Sequence, residues 1–209
     1  MHQAPKEIGW IEVICGSMFS GKTEELIRRV TRAVIARRKV QVFKPRADTR
    51  YDRDAVVSHS QWRVESTVVD TAAQILERLD PGAEVVGIDE VQFLGPPALE
   101  VCRALVDRGL RVIVAGLDQD YRGAPFEPMP QLLAEAEYVT KELAICVVCG
   151  APAGRSQRIV PAEDRVVVGA ADAYEPRCRK CFSPEPRPAT SPPEQELFAF
   201  VKRAGSQGT

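Results

Sequence analysis

The feature that most constrains the fold of this chain is the segment 16–23, which reads Gly-Ser-Met-Phe-Ser-Gly-Lys-Thr. It has the form G-x-x-x-x-G-K-[ST], a loop whose glycines let successive backbone N–H groups wrap a phosphate. The apolar residues at 11–15 predict a strand running into this loop, and the pattern at 22–38 predicts a helix leaving it. A phosphate in the loop would face the positive end of that helix. This context predicts a nucleotide-binding site.

Two side chains in the loop and two beyond it supply the rest of the expected chemistry. Lys22 would reach the β- and γ-phosphates of a nucleotide, and the Thr23 hydroxyl would ligate Mg²⁺. The apolar run at 85–88 predicts a buried strand that ends at Asp89 and Glu90. Asp89 would hold the Mg²⁺ through its water shell, and Glu90 could act as a general base. The alternative is that both carboxylates cap the following turn.

Strands and helices alternate along most of the chain. Beyond those already named, the sequence predicts strands at 40–45 and 110–115 and helices at 71–79, 98–108 and 132–136. The alternation predicts an α/β fold in which helices cover both faces of a mostly parallel sheet.

The first helix and the segment after it carry finer predictions. The residues expected to face the sheet recur at helical spacing and are Leu26, Ile27, Val30 and Val34. The arginines between them form a basic face that is either solvated or in contact with phosphate. The polar stretch 46–60 is expected to be a loop, and Asp70 or Thr71 is expected to cap the second helix.

Two further segments have the composition of ligand-closing loops. The segment 116–130 holds two glycines and three prolines together with Tyr121 and Phe126, and it follows a predicted strand. The segment 166–178 contains glycine and alanines that would let the backbone approach a planar ligand, with Tyr174 closing over it. An apolar β segment with a turn explains the second segment equally well.

The six cysteines fall into two groups. Cys15 and Cys102 stand singly in apolar surroundings and are expected to be buried core residues. The other four form two C-x-x-C pairs and are Cys146, Cys149, Cys178 and Cys181. Two such pairs predict a tetrahedral four-thiolate site for a structural Zn²⁺, and a redox dithiol is the alternative.

Charge and composition indicate which classes of partner to expect and where the chain divides into domains. A net charge of −1 gives no indication of a nucleic-acid partner. The sequence has no signal peptide and no apolar run of transmembrane length, so a cytoplasmic location is expected.

The predicted units are a nucleotide-binding domain at 1–140, a zinc-ribbon-like β domain at 141–183 and a proline-rich tail at 184–209 that could hold a short helix. Other classes that fit a phosphate loop are a nucleic-acid-stimulated ATPase and a non-catalytic nucleotide sensor.

Taken together, the motifs resemble those of the type II thymidine kinase family. The resemblance rests on the Met-Phe pair inside the phosphate loop, on Asp-Glu-Val-Gln-Phe at 89–93, on GLDQDYRGAPF at 116–126 and on VGAADAYEPRC at 168–178. It covers about residues 9–182. It implies transfer of the ATP γ-phosphate to the 5′-hydroxyl of thymidine or deoxyuridine with Mg²⁺, inhibition by dTTP, and a homotetramer. The implied fold is a P-loop α/β domain with a zinc-held domain, whose lasso loop grips the nucleoside.

The resemblance also assigns roles to individual residues. It makes Glu90 the catalytic base. The implied ATP-binding residues are Gly16, Ser17, Met18, Phe19, Ser20, Gly21, Lys22, Thr23, Asp48, Thr49, Arg50, Asp89, Glu90, Val91 and Gln92. The implied nucleoside-binding residues are Met18, Phe93, Leu117, Tyr121, Phe126, Val167, Val168, Gly169 and Tyr174.

Overall fold

The structure of the chain is a computed structural model that describes residues 8–46, 55–57, 63–161 and 173–185, with the backbone alone at 55–57 and 63. In chain order the elements are β1 (Trp10–Gly16), α1 (Lys22–Ile35), β2 (Val40–Pro45), β3 (Ala55–Val57), β4 (Arg63–Glu65), β5 (Thr67–Val69), α2 (Ala73–Glu77), β6 (Val85–Ile88), a 3₁₀ helix (Val91–Leu94), α3 (Pro97–Asp107), β7 (Arg111–Gly116), α4 (Met129–Glu135), β8 (Tyr138–Glu142), β9 (Ala144–Ile145), β10 (Pro152–Ala153), β11 (Arg155–Arg158) and β12 (Tyr174–Arg177).

Several predictions fall on residues outside these ranges. They concern the site residues Asp48, Thr49, Arg50, Val167, Val168 and Gly169 and the tail from 186 onward.

Six of the strands form one sheet in the order β5-β2-β6-β7-β1-β8, and every neighbouring pair in it is parallel. Three antiparallel pairs, β3–β4, β9–β10 and β11–β12, lie outside it. The predicted α/β class is therefore confirmed, with short β pairs around the cysteines. Among the helices described, none is long and apolar enough to cross a lipid bilayer.

Alternate residues of the strands supply two hydrophobic cores. On β7, Val112 and Val114 pack on the face that carries α2, α3 and α4, while Ile113 and Ala115 pack on the face under α1. The lone cysteines Cys15 and Cys102 are buried in the first of these cores, as predicted. Both faces of the sheet are apolar because helices cover both of them.

The first helix ends earlier than predicted, at Ile35 instead of residue 38. Arg37 adopts a left-handed conformation with φ of 60°, and the N–H groups of Arg37 and Arg38 donate to the carbonyls of Val34 and Ala33. These two bonds form a Schellman motif, which terminates a helix. Glycine usually occupies the left-handed position, and an arginine there gives no stop signal in the sequence.

The sheet-facing stripe of α1 also differs from the prediction at one residue. Leu26, Ile27 and Val30 are buried as expected, but Val34 is 58% exposed and Ala33 is buried in its place. Leu26, Val30 and Ala33 follow one another at spacings of four and three, which keeps them in line on one helix face.

Most arginines of the predicted basic face are exposed to solvent, namely Arg28, Arg32, Arg37 and Arg38, which agrees with the solvated reading. Arg29 is the exception. The side chain of Arg29 is mostly buried and pairs with Glu12 at 2.8 Å and with Glu25 at 2.7 Å. Arg28 pairs with Glu25 as well, at 2.5 Å. The guanidinium of Arg29 is neutralised within the protein because strand β1 presents Glu12 toward the helix. Arg28 stays largely exposed beside Glu25.

The structure departs from the sequence prediction at four other places. The stretch 46–60, expected to be a loop, contains β3, which pairs with β4. Helix α2 is shorter than predicted, and its N-cap is Ala72, which makes no side-chain cap, and not Asp70 or Thr71. The backbone N–H of Asp70 donates to Oε1 of Gln74 in the helix. Helix α4 begins three residues before the predicted start at 132. Strand β8 extends the large sheet to Glu142, two residues past the predicted domain boundary, and the division into domains stays a prediction.

A matched pair of substitutions tests the packing of α1. Val30 and Thr31 have nearly the same shape, but Val30 is 1% exposed and Thr31 faces solvent. Val30→Ala is expected to lower the free energy of unfolding by about 2 kcal/mol, and Thr31→Ala to change it by less than about 0.5 kcal/mol. Urea denaturation followed by circular dichroism measures both. Equal losses would contradict the placement of Val30 against the sheet.

Candidate functional site

The candidate site lies where three neighbouring strands of the large sheet end. The pairing aligns Cys15 with Gly116, and Ile88 with Val114, so β1, β6 and β7 finish at the same edge. The phosphate loop follows β1, Asp89 and Glu90 follow β6, and Leu117 follows β7. Parallel sheets of this kind bind ligands beyond the carboxyl ends of their strands.

The loop at 16–23 has the backbone that its glycines predict. Gly16 and Gly21 have φ values of 146° and 89°, which side-chain-bearing residues rarely adopt. A Cβ on Gly16 would also collide with the carbonyl oxygen of Glu142. The ammonium group of Lys22 is buried and donates to the carbonyl of Ser17 at 2.7 Å. The lysine is therefore held inside the loop that it is expected to serve.

Thr23 and Asp89 are brought together across the strand ends. The Thr23 hydroxyl donates to Oδ2 of Asp89 at 3.2 Å, and Asp89 itself is buried. A hydroxyl and a carboxylate this close, beside a phosphate loop, are the donor set that a nucleotide-bound Mg²⁺ uses. The two predicted magnesium residues thus fit that ion.

Glu90 is turned away from the strand by its backbone. It adopts a left-handed conformation, with φ of 48° and ψ of 42°, and its N–H donates to Oδ1 of Asp89 at 3.0 Å. Its carboxylate is buried and accepts a hydrogen bond from Gln92. The side chain of Val91, which the resemblance assigns to ATP binding, is fully buried in the core under α3.

Four of the predicted nucleoside-binding residues meet in one cluster. Met18, Tyr121 and Tyr174 are buried together with Ala173, and Leu117 packs against them. Phe93 and Phe126 form an edge-to-face pair with ring centroids 6.3 Å apart. Met18 belongs to the phosphate loop, so the apolar cluster directly adjoins that loop.

Sequence reasoning missed Arg158, which lies at the centre of this cluster. Its side chain is 0% exposed, and its guanidinium carbon lies 3.6 Å from the centroid of the Tyr121 ring. One of its N–H groups donates to the hydroxyl of Tyr174 at 3.0 Å. Arg122 binds the other tyrosine hydroxyl, on Tyr121, at 2.8 Å. An arginine therefore holds each of the two tyrosine side chains.

The phosphate loop also contacts the β pairs near the cysteines. The hydroxyl of Ser17 donates to the carbonyl of Ala153 at 3.1 Å, and the N–H of Met18 donates to the hydroxyl of Ser156 at 3.0 Å. Phe19, the next residue along, packs against the cluster around Cys146. Three consecutive loop residues thus rest on the small β unit.

The four paired cysteines converge on one point. Their sulfur atoms all lie within 4.8 Å of one another, and Cys149 Sγ is 3.6 Å from Cys178 Sγ and 3.7 Å from Cys181 Sγ. A tetrahedral site with Zn–S bonds of about 2.3 Å has sulfur atoms about 3.8 Å apart. The cluster therefore has the size and donor set that Zn²⁺ requires.

The thiols of this cluster differ in acidity from one another. Burial acts to raise the pKa of Cys146, but backbone hydrogen bonds at Cys178 and Val148 bring that pKa down to about 6. Hydrogen bonds with Cys178 and Cys149 raise the pKa of Cys181 to about 12. Burial raises the pKa of Cys102 to about 12, which fits an inert core thiol.

Comparisons with known proteins agree on one family. The family model described as thymidine kinase matches residues 9–182. A curated thymidine kinase from a Rhodothermus species is 64% identical over 184 residues, which covers 88% of this chain and 85% of that protein. A curated thymidine kinase from Bdellovibrio bacteriovorus is 57% identical over 177 residues, which covers 85% of this chain and 87% of that protein.

Proposed function

The chain belongs to the thymidine kinase family, and from this premise we propose that it transfers the γ-phosphoryl group of ATP to the 5′-hydroxyl of thymidine, and of deoxyuridine. The observation that carries the proposal is the place of Met18, which lies within the phosphate loop and packs against Tyr121 and Tyr174. A nucleoside held by these residues would present its sugar toward the loop.

The phosphate loop binds the ATP phosphates in this account. Backbone N–H groups and the ammonium of Lys22 neutralise the charge that spreads over the transferred group. Thr23 and Asp89 would hold Mg²⁺, which supplies further neutralisation of the β- and γ-oxygens. Asp48, Thr49 and Arg50 are proposed to lie near the same phosphates by their resemblance to the family motif.

Glu90 is proposed to accept the proton of the 5′-hydroxyl. Asp89 is bonded to Thr23, whereas the left-handed backbone of Glu90 directs the second carboxylate away from that pair. The neighbouring carboxylates can thus take different roles, one with the metal and one with the nucleophile. Phosphoryl transfer depends on positioning and charge neutralisation more than on covalent catalysis, so one oriented base is sufficient.

The nucleoside is proposed to lie among Met18, Leu117, Tyr121 and Tyr174, with Phe93 and Phe126 enclosing it. The contacts from Arg158 and Arg122 restrict the two tyrosine side chains, which lowers the cost of ordering them around a ligand. The backbone at Val167, Val168 and Gly169 is proposed to read the edge of the thymine base.

The four paired cysteines are proposed to bind one structural Zn²⁺. All four ligand positions come from the protein, so the ion would stabilise the small β unit and take no part in the chemistry. Because Ser17, Met18 and Phe19 rest on that unit, the metal would also support the phosphate loop.

The remaining proposals concern regulation and assembly. We propose the domain division at 140 and 183 from the change in sequence character near residue 141, and we also propose a cytoplasmic location. Feedback inhibition by dTTP is proposed on the resemblance alone. A homotetramer is likewise proposed on the resemblance alone.

Replacing the proposed base tests the reaction. Glu90→Gln keeps the shape of the side chain but removes its ability to take a proton, so kcat with thymidine is expected to fall by roughly 10²–10⁴-fold. The dissociation constants of ATP and thymidine are expected to stay within a few-fold of wild type. Glu77→Gln, on the exposed side of α2, is the matched control. A kcat near that of wild type in the Glu90 variant would rule out the assignment.

Metal analysis tests the zinc proposal. Protein purified without added zinc is expected to carry one zinc ion per chain by mass spectrometry. Cys178→Ser is expected to lose it, because three thiolates bind Zn²⁺ more weakly than four. Cys102→Ala, in the core away from the cluster, is expected to keep it. Full zinc content in the Cys178 variant, or none in wild type, would overturn the proposal.

A further inference from the structure

The side-chain amide of Gln92 is buried and bonded at both ends to other parts of the site. Gln92 lies in the 3₁₀ helix after β6 and is 2% exposed. Its Nε2 donates to Oε2 of Glu90 at 2.5 Å. Its Oε1 accepts from the backbone N–H of Leu117 at 3.1 Å. One amide therefore joins the proposed base to the first residue after β7.

The orientation of this amide follows from the chemistry of its partners. A backbone N–H can only donate, so the oxygen of the amide must face Leu117. The NH₂ group must then face Glu90, where an ionised carboxylate oxygen can only accept. A hydrogen bond to an ionised group is stronger than one between neutral groups. An apolar side chain at position 92 would leave both partners without this bond.

The surroundings of Gln92 are built to hold the amide in this place. A Cβ on Gly116 would lie 2.7 Å from Oε1 of Gln92, 2.9 Å from Sδ of Met129 and 3.0 Å from Cγ1 of Val91. The absence of a side chain at 116 is thus what leaves room for the amide beside β7. In the backbone around Gln92, the N–H of Phe93 donates to the carbonyl of Glu90 at 3.0 Å and closes the first turn of the 3₁₀ helix.

Glu90 needs such support because its backbone is strained. A left-handed conformation is uncommon for a residue other than glycine, and it persists only where neighbouring contacts fix it. A carboxylate that abstracts a proton must also lie within hydrogen-bonding distance of that proton in the bound substrate. The bond from Gln92 restricts one carboxylate oxygen and with it the direction of the side chain.

We propose that Gln92 is a positioning residue that holds Glu90 in the orientation required for phosphoryl transfer and ties it to Leu117 in the nucleoside cluster. The inference rests on the proposed function, in which Glu90 is the base. Gln92 acts through Glu90 and need not touch either substrate. Loss of the amide should therefore lower kcat while the KM values for ATP and thymidine change little.

Gln92→Met tests this with a side chain of similar length that makes no hydrogen bond. Its kcat with thymidine is expected to fall by about 10- to 100-fold, with both KM values within about 3-fold of wild type. Gln92→Asn keeps an amide that is one methylene too short to reach both partners, and a similar loss is expected. Gln131→Met, an exposed position on α4, is the matched control for the change of residue type. Circular dichroism and zinc content identify a variant that has not folded.

A double-mutant cycle separates positioning from a general structural effect. In the Glu90→Gln background, Gln92→Met is expected to cause no further loss of kcat, because the carboxylate that it orients is already gone.

The outcomes distinguish this inference from the function on which it rests. If wild type does not phosphorylate thymidine, the proposed function fails. If Glu90→Gln lowers kcat but Gln92→Met and Gln92→Asn do not, Gln92 has no positioning role. If Gln92→Met lowers kcat by the same factor in both backgrounds, its effect does not pass through Glu90 and the inference is also overturned.

Discussion

The parallel pairing of β1 with β7 and of β7 with β6 is the constraint on which the site depends. It aligns the carboxyl ends of three strands, and each end carries one part of the chemistry. The phosphate loop follows β1, the two carboxylates follow β6, and Leu117 follows β7. Apolar residues on both faces of these strands hold the alignment, because α1 covers one face and α2, α3 and α4 cover the other. The position of every catalytic group proposed above follows from this register.

The phosphate loop is also the link between the sheet and the cysteine-containing unit. Successive loop residues reach Ala153, Ser156 and the cluster around Cys146. A metal held by the four cysteines would therefore do more than fold its own short strands. It would fix the surface on which the loop rests and, through β11 and β12, the place of Arg158 between the two tyrosines. A structural ion can in this way contribute to nucleoside binding without touching the nucleoside.

The sequence predicts those features that depend on local spacing. The phosphate loop, the strand that ends at Asp89 and the paired cysteines are recognisable because each has a fixed pattern within a few residues. The place of Arg158 could not be predicted, since a single buried arginine has no periodic pattern and its aromatic partners come from distant segments. The end of α1 was missed because Arg37, and not glycine, takes the left-handed position. Strand β8 was missed as a member of the large sheet because its residues are largely polar and only the pairing with β1 places it there.

The most direct test of the account follows the γ-phosphate itself. Wild-type protein is incubated with γ-labelled ATP and Mg²⁺ and with thymidine, deoxyuridine, deoxycytidine or no nucleoside. The account predicts label in the 5′-monophosphate of thymidine, with deoxycytidine poorer by roughly 10²-fold or more in kcat/KM, because its exchanged donor and acceptor would mispair in a dry pocket. Label released as inorganic phosphate at a rate that does not depend on the nucleoside would contradict the account.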